Sequence, residues 1–136
     1  MNPTPYIIFQ GQCREAMTAY AAIFGGEVTM MMTGADMPDM EVAEDKADWI
    51  MHSELKFDGG LLMASDDMMG SNPAMAGSSI MMEFDTEDAA KAAYDELAKG
   101  GDVIMAFAPT PWAEGFAMLN DRFGTSWMLS GPAAMD

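Results

Sequence analysis

The sequence predicts an α+β fold in which two βαβββ modules form one curved, mixed eight-strand sheet with the helices on its outer face. Three observations carry this. Phe9–Val28 (FQGQCREAMTAYAAIFGGEV) has a gapless counterpart in Phe84–Val103 (FDTEDAAKAAYDELAKGGDV). Phe9 falls on Phe84, Gly25-Gly26 on Gly100-Gly101, Glu27 on Asp102 and Val28 on Val103, so one supersecondary unit is repeated. Within each copy the apolar period changes from strand to helix and back, and each copy is followed by hairpin signals. A half of this kind buries only one sheet face under its helix. Two halves side by side leave the concave face open as a cup, the default place for a ligand.

Taken in order, Tyr6–Phe9 is a short apolar strand whose entry through Pro3 and Pro5 suits an edge. From Gln12 the residues Ala16, Ala19, Tyr20, Ile23 and Phe24 recur at helical spacing. Gly25-Gly26 supplies the left-handed stop, and Glu27–Thr33 is the next strand. Residues 34–48 are acidic and aperiodic, an exposed connection long enough to act as a lid. Trp49–Phe57 alternates, with His52 and Glu54 on one side and Ser53 and Leu55 on the other. Asp58-Gly59-Gly60 is hairpin chemistry, and Leu61–Ser65 returns as its partner.

The second module opens with the strand Ser79–Phe84. Asp85 or Thr86 caps a helix whose stripe is Ala90, Ala93, Tyr94 and Leu97. Asp102–Phe107, Phe116–Leu119 and Thr125–Leu129 are its remaining strands, and residues 131–136 read as a frayed tail. The organisation expected is one domain over 1–136, with module one at 4–66, a linker at 67–78 and module two at 79–130.

Composition narrows the function. A length of 136 residues fits one ordinary domain, and the net charge of −16 repels phosphate backbones and anionic lipid, so neither nucleic acid nor membrane is an expected partner. One cysteine excludes an internal disulfide and accords with a reducing cytoplasm. No apolar run is long enough for a signal peptide or a membrane span. Eighteen methionines read either as a soft core or as the lining of an adaptable pocket.

PYIIFQGQCREAMTAYAAIFGGEV, MHSEL, LLMASDD and WAEGFAMLNDRFGTSWML together resemble the PhnB-like branch of the glyoxalase/bleomycin-resistance/dihydroxybiphenyl dioxygenase (vicinal oxygen chelate) superfamily. That branch is often catalogued as 3-demethylubiquinone-9 3-methyltransferase-like. The likeness runs from Pro5 to about Ser130. It implies the paired-module fold, a homodimer and a small-molecule ligand in the cup. The chain has no glycine-rich loop with a ribose-binding acid downstream, as a Rossmann-type nucleotide site needs, so the methyltransferase label finds no support in it. Metal-dependent members take His and Glu ligands from the first and last strands of each half. Carried over, those positions offer Tyr6, Ile8, Met63 or Ala64, Ser79, and Trp127 or Met128, none of them a hard-metal ligand. No metal and no cofactor is therefore expected.

Two functions remain. In the first, a small apolar or aromatic molecule is held without metal by Tyr6, His52, Met63, Trp112, Phe116 and Trp127, with Trp49 a further candidate, much as bleomycin-resistance members sequester their ligand. In the second, a lyase, isomerase or oxygenase uses a divalent metal on His52, Glu54, Glu83 and Asp66, with His52 and Glu54 as the catalytic pair. His52 also reads as a structural hydrogen-bonding histidine. Cys13, in the first turn of a helix, is either a dipole-activated thiolate or a small buried apolar group.

Overall fold

The computed structural model describes residues 1–36 and 41–134. It falls into two compact units, Met1–Pro73 and Ala74–Asp136. The first contains β1 (Tyr6–Phe9), α1 (Cys13–Phe24), β2 (Glu27–Thr33), β3 (Ile50–Phe57) and β4 (Gly60–Asp66). The second contains β5 (Ile80–Glu83), α2 (Glu87–Leu97), β6 (Asp102–Ala108), β7 (Phe116–Asn120) and β8 (Ser126–Ser130). Each unit is thus βαβββ. The eight strands are divided between two four-strand sheets, ordered β1-β4-β3-β2 and β5-β8-β7-β6. Strand order is identical in the two: the first strand runs parallel to the last, and the remaining pairs are antiparallel.

Each sheet buries one face under its own helix. In the first unit Ile7, Phe9, Ser53, Leu55, Leu62 and Ala64 meet Cys13, Ala16, Met17 and Tyr20 of α1. The helical stripe is therefore shifted from the sequence reading. Cys13 and Met17 belong to it, while Ala19, Ile23 and Phe24 are only half-buried. In the second unit Ala117, Leu119, Trp127 and Leu129 pack with Ala90, Ala93 and Leu97 of α2. Thr86 caps α2, its Oγ1 accepting from the Ala89 N–H at 3.0 Å.

The doubled glycine that revealed the repeat has a physical cause. Gly25 and Gly100 have φ of +70° and +73°, which L side chains rarely adopt. Their successors are crowded instead. A Cβ on Gly26 would stand 2.7 Å from the Lys56 carbonyl oxygen, and one on Gly101 would stand 2.4 Å from that of Asn120. In both units the chain leaves the helix and passes directly over a strand backbone.

Two loops differ from expectation. The 34–48 connection is tied back at its base, with the Gly34 N–H donating to the Trp49 carbonyl and the Ala35 N–H to that of Ala47. It carries short 3-10 turns at Gly34–Asp36 and Glu44–Lys46. Its tip, 37–40, and any lid role that depends on it lie outside the described residues. The tail is not frayed as far as residue 134. Ala133 bridges to Ala113, and the Ala134 N–H donates to the Trp112 carbonyl. Residues 135 and 136 lie outside the described part. No described helix is long and apolar enough to cross a membrane.

Candidate functional site

Alternation along the strands puts a second set of side chains on the face of the first sheet away from α1. Register fixes one row across β1, β4, β3 and β2 as Tyr6, Met63, Glu54 and Met30. His52 lies one step along, opposite Met32. Of the residues named from sequence, Tyr6, His52, Glu54 and Met63 thus share this face with Ile8, Met30 and Met32. Tyr6 and Ile8 on this face are 46% and 48% exposed.

Hydrogen bonds give this face a direction. His52 Nε2 lies 3.0 Å from Glu54 Oε2, and Nδ1 lies 3.1 Å from the Tyr6 hydroxyl. A carboxylate only accepts, so in the neutral imidazole Nε2 carries the proton toward Glu54 and Nδ1 accepts from the Tyr6 O–H. The Tyr6 and His52 rings are stacked, 5.7 Å between centroids. One imidazole is held at both nitrogens on an apolar, half-exposed surface.

In the second unit Trp112 is 56% exposed and meets Phe116 edge-on, with centroids 5.5 Å apart. A cavity of about 390 Å³ adjoins Trp112, lined also by Met81, Glu83, Asp85 and Ser130, while Phe116 is buried and does not line it. Trp127 is not part of an open wall. It is 1% exposed, paired with Ile80 and Leu119 on the helix side, and its Nε1–H donates to Asp121 Oδ2 at 2.8 Å. Its neighbour Met128 takes the outward position, so the aromatic expectation at 127 is off by one residue of strand alternation. Trp49 packs over Gly11 and carries Lys46 on its ring.

Cys13 is an inert thiol. It is fully buried, its Sγ lies 3.4 Å from Ser53 Oγ, and loss of solvent pushes its pKa up to about 12. Desolvation outweighs the lowering effect of the Ser53 hydrogen bond.

Asp66, a candidate ligand from sequence, has another task. Its Oδ1 accepts from the Gly11 and Cys13 N–H groups, and its Oδ2 from Ile50 N–H at 2.9 Å. This buried carboxylate satisfies orphan donors at the start of α1 and joins it to β3. Asp121 does similar work in the second unit, its Oδ1 accepting from the Phe123 and Thr125 N–H groups. The role of Asp66 had no sequence signal, because its donors lie 16 to 55 positions away, whereas the Asp121 donors lie only two and four residues on.

Among the described residues no group of three or more His, Cys, Asp or Glu side chains is placed to hold a metal ion. The first-strand and last-strand positions carry Tyr6, Ile8, Met63, Trp127 and Met128, a donor set that does not fit a hard divalent ion.

Two βαβββ units, each with its parallel first and last strands and one open sheet face, define the glyoxalase/bleomycin-resistance class of fold. The chain belongs to the PhnB-like family described as 3-demethylubiquinone-9 3-methyltransferase, which it matches over residues 2–130. It is similar to protein YjdN of Escherichia coli K12, 28% identical over 96% of this chain and 95% of that one. The crystal structure of protein PA1353 from Pseudomonas aeruginosa is 39% identical with a TM-score of 0.90, covering 96% of this chain and 97% of the other. The PhnB protein from Bacillus cereus superposes with a TM-score of 0.83 at 22% identity, over 97% of this chain and all of that one. At the level of fold alone, a glyoxylase/bleomycin resistance protein/dioxygenase domain from Frankia sp. EAN1pec gives a TM-score of 0.65 at 9% identity, over 96% of this chain and 90% of that one.

Proposed function

We propose that this protein binds a small apolar or aromatic molecule, without a metal, on the open face of its first sheet. The hydrogen-bonded Tyr6–His52–Glu54 chain, set among Ile8, Met30, Met32 and Met63, is the observation that carries this reading. Small-molecule sites have this make-up: apolar walls and a few polar groups whose orientation is fixed before the ligand arrives. Trp112 and Phe84 line the cavity of the second unit, and Phe116 is buried behind Trp112. The test is a thermal-shift and native mass-spectrometry screen of apolar and aromatic compounds against wild type and Tyr6→Phe. A ligand that stabilises wild type and is weakened by Tyr6→Phe supports the reading. No binder in the screen, or one indifferent to Tyr6, Met63 and His52 substitutions, counts against it.

A second reading, an enzyme that moves a proton, draws on the same hydrogen bonds. A proton leaving a bound molecule passes to the Tyr6 oxygen as the Tyr6 proton passes to His52 Nδ1, and the imidazolium formed is held by Glu54. His52 and Glu54 are then the catalytic pair proposed from sequence. The family's descriptive name refers to methyl transfer, and the sequence carries no Rossmann-type nucleotide fingerprint to support that step. A cytoplasmic homodimer fits the single buried cysteine and the kinship of the fold. Sedimentation of a monomer at micromolar concentration would remove the dimer.

A further inference from the structure

The duplicated sheets put different chemistry in the same row. Across the first sheet the row reads Tyr6, Met63, Glu54, Met30. Across β5, β8, β7 and β6 it reads Met81, Met128, Met118, Met105. Tyr6 and Met81 are 75 positions apart, as are Met30 and Met105, which is the spacing of the repeat itself. Every position of the second row is a thioether. The row lies on the face away from α2, since Leu119, Trp127 and Leu129, the alternate residues of β7 and β8, are the buried ones. Met81 and Met105 are 44% and 42% exposed, and Met118 and Met128 between them are half-buried.

We propose that this row is a binding site for a soft monovalent cation, Cu(I) or its analogue Ag(I). Thioether sulfur is a neutral, polarisable donor, and such ligands select Cu(I) over the hard ions that carboxylates and imidazole take. Directly paired residues on neighbouring strands have Cβ atoms about 4.5–5.5 Å apart. Each methionine is unbranched and places its sulfur two bonds further out on rotatable bonds, so sulfurs from three adjacent strands can turn toward one ion. The net charge of −16 raises the local concentration of any cation at the surface. Core filling does not explain the row, because its outer members face solvent.

Thioethers carry no proton in this range, so binding here displaces none and its affinity is flat from pH 6 to 8. The charged side chains on the same face are Glu83 and Asp102, in the flanking rows. The only histidine, His52, is on the first sheet.

The test is an Ag(I) titration of the full chain carrying 13C-labelled methionine methyls, in chloride-free buffer, with Zn(II) as the hard-ion control. The proposal expects saturable shifts of the Met81, Met105, Met118 and Met128 methyls at one equivalent, at pH 6 and 8 alike, and none with Zn(II). Met118→Leu with Met128→Leu keeps volume and apolarity while removing sulfur, and weakens Ag(I) by more than about tenfold. Exposed Met81→Leu gives the same direction of change if the double variant does not keep its fold. No shift of these methyls, shifts confined to other methionines such as Met69, or an affinity unchanged in the variants would overturn it. These readouts are confined to the second sheet and stay separate from the Tyr6 test.

Discussion

The hydroxyl of Tyr6 and Nδ1 of His52 are 3.1 Å apart with their rings stacked, although the two residues lie 46 positions apart in the chain. The contact exists because β4 carries Met63 between β1 and β3, so side chains from non-adjacent strands reach over it. His52 is then held with its proton on Nε2 by Glu54. Long-range 1H–15N NMR is expected to show the Nε2–H tautomer in the neutral wild-type imidazole. Glu54→Ala should mix the tautomers. A dominant Nδ1–H form in wild type would refute the assignment.

Removing Asp66 should be far more damaging than removing a surface acid. Asp66→Ala strips the acceptor from three backbone N–H groups, two of them in fully buried bonds. Each unsatisfied buried donor costs ~1–3 kcal/mol, so a loss of about 2–6 kcal/mol is expected by urea denaturation. Asp95, in an exposed pair with Lys91, should change stability by less than ~1 kcal/mol when replaced by alanine.

The Cys13 thiol should ignore alkylating and disulfide reagents in the native protein at pH 8 and react at once in urea. Burial raises its pKa to about 12 from an ordinary 9.0, so the folded state favours the neutral thiol. That contribution to stability is complete below pH 9 and is lost as the pH climbs toward 12. Alkaline unfolding monitored by circular dichroism should therefore be delayed in Cys13→Ala relative to wild type over this interval, after correction for their difference at pH 8.

Alanine at the doubled glycines should separate by position. At Gly101 the new Cβ meets the Asn120 carbonyl at 2.4 Å, and at Gly26 it meets the Lys56 carbonyl at 2.7 Å. Backbone must move in both, and losses of ~1–3 kcal/mol are expected. Gly70→Ala, where nothing lies within 4 Å, should be close to neutral. Equal thermal shifts for all three variants would contradict this account.

The two tryptophans of the second unit should behave oppositely. Trp127→Phe removes the indole donor to Asp121 inside the core and should cost ~1–3 kcal/mol. Trp112→Ala, at an exposed position, should cost less while altering whatever occupies the neighbouring cavity. Comparison of their chemical denaturation midpoints checks the order.

The sequence revealed the modules because their boundaries are set by local chemistry. Glycine pairs, the Thr86 cap and the Asp58-Gly59-Gly60 turn act over a few residues, and each is readable where it stands. The pairing of Tyr6 with His52 was legible only as a shared strand face, since contact between them depends on register. Trp127 was misassigned because alternation says that Trp127 and Met128 face opposite ways without saying which faces the helix. In sequence Asp66 offers itself only as a metal ligand, because a carboxylate gathering backbone donors leaves no periodic trace. The methionine row was hidden for the same reason as the Tyr6 contact: four residues scattered over β5 to β8 become neighbours only when the ladders are known.

The parallel pairing of first and last strands orders events during synthesis. Among the described residues β1 pairs in its sheet with β4 alone, and β5 with β8 alone. A nascent first half therefore holds an unpartnered leading strand until Asp66 has left the ribosome. The second half repeats the wait until Ser130 emerges. Each half passes once through an open-edged stage, which ends only when its own last strand is available.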